Sequence, residues 1–177
     1  MYDHFVGEVT RKAGTVVVLR CGGVGYELKV PLTTAGKLQV GTEGTLSTIL
    51  HVTDGNPTLL GFAEPGERDL ARMLLSVSGV GPTACLAILS TNPPATVVGA
   101  IQAGAAKTLQ QTKGIGAKTA ERLCIELRDR IGRLDVEGTP PPSADTAELP
   151  AAAEDAVAAL AVLGYQDKEA RAKVGKA

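Results

Sequence analysis

Hydrophobic and polar positions alternate along the first third of the chain, and the period changes after residue 62. Phe5-Val6-Gly7-Glu8-Val9 is short and alternating. Residues 15–19, Thr-Val-Val-Val-Leu, are β-branched and follow a turn at Gly14. Residues 25–30 alternate after Gly22-Gly23, residues 45–52 form another β-rich run, and Leu59-Leu60-Gly61-Phe62 a last short one. Five short strands with a turn signal about every ten residues predict a small barrel or sandwich.

Residues 67–133 follow the helical period instead. Leu70, Met73, Leu74 and Val77 fall on one face, and Cys85, Ile88 and Leu89 on another. Asn92-Pro93-Pro94 ends one helix and starts the next, whose apolar positions are Val97, Val98 and Ile101. Leu123, Leu127, Ile131 and Leu134 line a long final helix. Residues 135–150 are acidic and Pro-rich, which is linker composition. Residues 151–163 read as an Ala-rich amphipathic helix stopped by Gly164, and Asp167 is placed to cap a second short helix. The fold class expected is a multidomain α+β chain: a barrel at 1–62, a helical domain at 63–134, a linker at 135–150 and a small helical domain at 151–177.

The strongest signal is an internal duplication. Residues 74–85 align with residues 109–120 at a constant offset of 35, and each copy reads helix, Gly-hydrophobic-Gly, helix. Gly79-Val80-Gly81 and Gly114-Ile115-Gly116 are the two hairpins. Paired glycines allow a tight turn and a close approach of a ligand to the backbone. The residue between them can tuck inward, and the next helix opens with free N–H groups suited to a phosphate. Nothing in such a hairpin reads bases, so binding is expected to be independent of sequence. A glycine helix C-cap explains one copy as well; two copies in the same register favour matched phosphate sites.

Two rival glycine motifs fit less well. Residues 79–84 match the dinucleotide fingerprint formally, but a helix pattern precedes them where that motif needs a strand. Gly116-Ala117-Lys118-Thr119 resembles the tail of a nucleotide-binding loop but lacks glycine directly before Lys118. No nucleotide-hydrolysing site is expected.

The 177 residues carry 18 basic and 19 acidic side chains, a net charge of -1 that argues at first against a nucleic-acid partner. By segment the picture reverses. Residues 1–62 balance five against five, residues 63–133 hold nine basic and six acidic, and residues 134–177 hold four basic and eight acidic. Lys113, Lys118 and Arg122 lie on or just after the second hairpin, where a basic excess is the footprint of a phosphate partner. Aromatics are only 3%, which argues against base stacking. The three cysteines are widely spaced and the two histidines, His4 and His51, make no zinc pattern, so no metal and no cofactor are expected. No Ser/His/Asp or Cys/His constellation is available, so no catalytic residue is proposed. No apolar run reaches the ~20 residues of a membrane helix. The start, Met1-Tyr2-Asp3-His4, lacks a signal-peptide pattern, and a cytoplasmic location is expected.

The order of barrel, paired hairpins, acidic linker and small helical end resembles the RuvA family of bacterial Holliday-junction-binding proteins. The matching segments are residues 22–27, Leu60-Gly61-Phe62, residues 76–82, residues 86–90, residues 113–116, residues 118–123, and residues 156–160 with Leu163-Gly164-Tyr165. The resemblance implies an OB-fold barrel that builds a homotetramer. It implies that each subunit holds one arm of a four-way junction by its minor-groove phosphates, through Gly79, Val80, Gly81, Gly114, Ile115, Gly116, Lys118, Thr119 and Arg122. It implies a C-terminal contact, through Leu160, Leu163 and Tyr165, with the hexameric ATPase motor RuvB, and work beside the RuvC resolvase in recombination, repair and the SOS response.

Three departures qualify it. The family has two adjacent acids in the hairpin loop before its Gly-Phe pair, and the positions here are Gly55 and Asn56 with Asp54 just before, so Asp54 and Asn56 are the candidate junction-centre pin. Thr83 stands where the family commonly has Lys or Arg, so the first hairpin is expected to bind more weakly than the second. The family's last domain has three helices and the pattern here supplies one and the start of another, so an incomplete C-terminal domain is expected.

Two other readings compete. A helix-hairpin-helix glycosylase would pair Lys118 with Asp129 or Asp135. A protein-only adaptor would use its helices to bind other helices and show no salt-sensitive affinity for DNA.

Overall fold

The computed structural model describes residues 2–53, 55–132 and 134. The expectations for Asp54, Asp135, the linker and the C-terminal helices, including Leu160, Leu163 and Tyr165, lie outside those residues.

Five strands form the N-terminal part: β1 (His4–Ala13), β2 (Val16–Cys21), β3 (Val24–Lys29), β4 (Glu43–Thr53) and β5 (Asn56–Phe62). All five expected strands are present, and most run longer than the alternation suggested. They close into a barrel in the order β1-β2-β3-β5-β4, with β1 pairing β4 to complete the ring. The β2–β3 turn places Gly22 at φ 55° and Gly23 at φ 89°, the left-handed pair that a two-residue hairpin requires. The long β1 serves both neighbours: residues 4–8 pair with β4 and residues 8–13 with β2. A register shift between Val9 and Arg11 lets the strand bend from one partner to the other.

Phe5, Val9, Val17, Leu19, Leu28, Val30 and Leu46 fill the barrel. The alternation on β5 is the joint of the molecule. Gly61 faces inward, where an added β-carbon would meet Leu46 at 3.0 Å, Val30 at 3.1 Å and Leu28 at 3.2 Å. Leu60 and Phe62, on the opposite face, are fully buried among the helices.

A short helix that the periodicity did not reveal, α1 (Leu32–Lys37), bridges β3 and β4. Lys12 Nζ donates to the carbonyls of Ala35 and Leu38 at its C-terminal end. The remaining helices are α2 (Pro65–Leu75), α3 (Pro82–Thr91), α4 (Pro94–Gln102), α5 (Ala106–Gln110) and α6 (Ala117–Ile131). Proline at the start of α2, α3 and α4 costs no hydrogen bond, because the first-turn N–H groups have no helical partner. Leu70, Leu74, Ile88, Leu89, Val97, Val98, Ile101, Leu109, Leu123, Leu127 and Ile131 make one core with Leu60 and Phe62. Val77 is buried as the pattern required, but beyond the end of α2, and Leu134 packs on the core from beyond the end of α6.

Polar contacts fix the helices to the barrel. Thr33 Oγ1 donates to the Leu89 carbonyl at 3.2 Å, and the Leu32 amide donates to Ser90 Oγ at 2.9 Å. Buried Glu67 accepts from the Ala63 amide at 3.1 Å, closing the entry to α2, and from Thr34 Oγ1 at 3.4 Å.

Candidate nucleic-acid interface

The duplication in the sequence is a duplication in conformation. Gly79 has φ 93° and Gly114 has φ 92°, a backbone that side chains with a β-carbon rarely adopt. Gly81 and Gly116 are both extended, at φ -94° and -82°, and each serves as N-cap of the helix that follows. The hydrogen bonds repeat at the same offset of 35. The Val80 amide donates to the Val77 carbonyl at 3.1 Å, and the Ile115 amide to the Thr112 carbonyl at 3.1 Å. The Cys85 amide reaches the Gly81 carbonyl at 2.9 Å, and the Ala120 amide the Gly116 carbonyl at 3.0 Å. Val80 and Ile115 turn inward and are buried. The tuck that the sequence suggested is therefore present in both hairpins.

Neither α3 nor α6 has a side-chain cap at its start. Amides 117, 118 and 119 precede the first helical bond of α6 and are free to donate outward. On α3, Pro82 has no N–H, which leaves amides 83 and 84. The aligned hydrogen-bond donors on side chains differ more. Lys113, Lys118 and Arg122 of the second copy stand at the places of Ser78, Thr83 and Ala87 in the first. The two hairpins thus share a backbone shape and differ in charge.

The first hairpin lies beside the start of α6: a β-carbon built on Gly79 would stand 3.8 Å from Thr119 Oγ1. A groove of about 510 Å3 runs between that hairpin and α6, lined by Ser78, Gly79, Lys118, Thr119, Arg122 and Ile125 with Glu121 and Glu126 at its side. Lys113 and Lys118 are exposed and enter no ion pair among the described residues. Arg122 is engaged differently: Nη1 donates to the Ser78 carbonyl at 3.2 Å and Nε pairs with Glu126 at 3.3 Å. Arg130, two turns further along α6, donates to Ser76 Oγ at 3.4 Å. Ser76 and Ser78 lie in a segment that the sequence matched, but the sequence assigned no role to them or to Arg130. The one available signal is Ala87, which cannot repeat in the first copy what Arg122 does in the second.

Other sequence expectations are placed as follows. Asn56 opens β5 opposite Thr53, at the exposed tip of the β4–β5 hairpin. Lys118 and Asp129 are eleven residues apart on the one helix α6, about 16 Å along its axis. The glycosylase arrangement they would need is not assembled. Residues 63–132 contain no aromatic side chain, and Tyr2, Phe5 and Tyr26 cluster on the barrel, with Phe5 and Tyr26 stacked at 4.3 Å. The hairpins offer phosphate-binding groups and no stacking platform. Cys85 and Cys124 are buried free thiols, and burial pushes both above their ordinary range, Cys85 to about 12. Among the described residues no three His, Cys, Asp or Glu side chains converge as a metal site.

Fold and hairpins together define a class: a small closed barrel joined to a tandem helix-hairpin-helix module. Residues 1–61 match the family described as RuvA N terminal domain, and residues 71–129 match SAM-like Helix-hairpin-helix tandem. Among curated proteins, the Holliday junction branch migration complex subunit RuvA of Syntrophotalea carbinolica is 43% identical over 167 residues, covering 93% of this chain and 83% of that protein. The proteins of the same name from Thioalkalivibrio sulfidiphilus and Acinetobacter baylyi are 42% and 39% identical, covering 96% and 97% of this chain and 87% of each relative. The chain belongs to the RuvA family.

Proposed function

We propose that this protein binds four-way DNA junctions by their phosphates, without reading sequence, and is not itself an enzyme. One observation carries the reading: two hairpins 35 residues apart hold the same left-handed glycine, the same inward residue and the same uncapped helix start. Such hairpins present backbone N–H groups at the positive ends of two helices, which suits phosphates on a duplex. Gly79, Val80, Gly81, Gly114, Ile115 and Gly116 shape the sites, and Lys118 and Thr119 add side-chain contacts. The names of the relatives supply the ligand, a Holliday junction, and the process, branch migration.

The finer reading follows from family membership. The barrel is an OB-fold that assembles a homotetramer, so that four hairpin pairs meet four arms. Residues 1–62 form the oligomerising domain, 63–134 the DNA-binding domain, 135–150 a linker and 151–177 the domain that recruits the RuvB ATPase through Leu160, Leu163 and Tyr165. Asp54 and Asn56 face the crossover as the pin, RuvC acts on the same junction, and the complex works in the cytoplasm.

Competition gel shifts with a four-way junction and a linear duplex of the same sequence test the proposal. Preference for the junction by at least tenfold, independent of its sequence, supports it. Equal affinity for both would sink it. Solution mass with and without junction DNA tests the tetramer.

A further inference from the structure

We propose that Arg122 is a positioning residue: it ties the first hairpin to the helix of the second and sets the spacing of the two phosphate sites, instead of contacting phosphate itself. The inference rests on the DNA-binding reading and revises one residue within it. The decisive geometry is a link between residues 44 apart, from Arg122 Nη1 to the Ser78 carbonyl at 3.2 Å. Ser78 is exposed at the tip of the first hairpin, next to the left-handed Gly79. Its carbonyl has no backbone donor of the kind that orders Val77 and Val80. The guanidinium's other edge is held by Glu126 one turn along the same helix, at 3.3 Å. A guanidinium is a planar fork with fixed donor directions, so holding Nη1 and Nε fixes its plane and aims Nη1 at the hairpin.

The tie is one of a row. Thr119, Arg122 and Arg130 lie at i, i+3 and i+11 on α6, along one face. Thr119 lies beside Gly79, where an added β-carbon would stand 3.8 Å from its Oγ1, and Arg130 reaches Ser76, so the face follows the first hairpin from its start to its tip. The duplication supplies its own control. The counterpart of Arg122 is Ala87 and the counterpart of Ser78 is Lys113. The Arg122 link therefore has no counterpart from α3 at the tip of the second hairpin; α3 reaches that hairpin only at its start, where the C-cap Asn92 Nδ2 donates to Thr112 Oγ1 at 3.3 Å. Each hairpin is held to its own helix by equivalent bonds, and the tip of the first is held by α6 as well.

Hydrogen exchange and junction binding of the full chain distinguish this role from a phosphate contact. In Arg122→Ala without DNA, the Val80 amide is expected to exchange at least tenfold faster, while the Ile115 amide, in the equivalent bond of the other hairpin, keeps its rate. Junction affinity is expected to fall fivefold or more, with the slope of log K against log salt changed by less than about 0.3. A phosphate contact would lower that slope by about 0.9. An unchanged Val80 rate, or a slope lowered by about 0.9, overturns the proposal. The exchange result is independent of DNA. Failure of wild-type protein to bind any junction would overturn the functional reading and leave the exchange test standing.

Discussion

Val80 and Ile115 occupy one structural position twice: each lies between two glycines, each is buried, and each donates its amide at 3.1 Å to the carbonyl three residues back. Side-chain ties reach other points of each hairpin, and the inward side chain is the apolar anchor between its two glycines. Ile115→Ala is expected to cost about 2 kcal/mol and Val80→Ala somewhat less, the low end for buried truncations because both sites lie at the rim of the core. Urea denaturation reads the stability, and junction affinity should fall in both variants. Full DNA affinity in either would show that the hairpins hold their shape without the anchor.

The charge difference between the copies predicts a gain as well as a loss. Lys118→Ala should weaken binding to all sequences alike and lower the salt slope by about one. Thr83→Lys places an ammonium at the equivalent point of the first hairpin and should raise both affinity and slope by a similar step. Titrations across a salt series measure both. A Thr83→Lys protein with unchanged slope would mean that the first hairpin does not reach a phosphate.

Two barrel glycines that look alike in sequence should respond differently. At Gly7 a β-carbon would overlap the Arg20 carbonyl oxygen, which belongs to the sheet and cannot move, and would lie 2.7 Å from Cys21 Sγ. At Gly14 the space is open and only the left-handed φ of 58° opposes a side chain. Gly14→Ala should cost about 1 kcal/mol. Gly7→Ala should cost about 3 kcal/mol, in the range of overpacked cores. Denaturation midpoints that fail to separate the two would contradict this account of the sheet.

Cys85 gives the fold an alkaline dependence. Burial raises its thiol from 9.0 to about 12. Between those values the unfolded chain has lost a proton that the folded protein keeps, so folding stability falls as pH rises through that window. The slope this group adds approaches about 1.4 kcal/mol per pH unit. Unfolding curves of wild type and Cys85→Ala from pH 8.5 to 10.5 should diverge, with the variant shallower. Parallel curves would rule the effect out.

The barrel was legible because strands announce themselves: residues 15–19 are β-branched after a turn, residues 25–30 alternate, and both send side chains into one filled interior. Helix α1 was not, because Leu-Thr-Thr-Ala-Gly-Lys is too short to show a period, and its ties are to Lys12, Leu89, Ser90 and Glu67 from distant parts of the chain. The five-residue α5 was expected only through the duplication, as the helix that opens the second copy. The hairpins were readable down to the residues that tuck inward, since two copies in register restrict the explanation. The direction of Arg122 was not. A basic residue beside a phosphate cradle reads as a ligand until the Ser78 carbonyl is seen within its reach.

The ring of strands closes through the parallel contact of β3 with β5, where Lys29 stands opposite Leu60. Every other junction of the ring is antiparallel and runs over five residue pairs or more. This seam is the thinnest part of the wall, yet Leu60 is also sealed into the helical core. Opening the cylinder would pull a plug from the helices, and melting the helices would leave the cylinder unlatched. Barrel and hairpins are therefore expected to unfold in a single transition, so that a ligand meets both or neither.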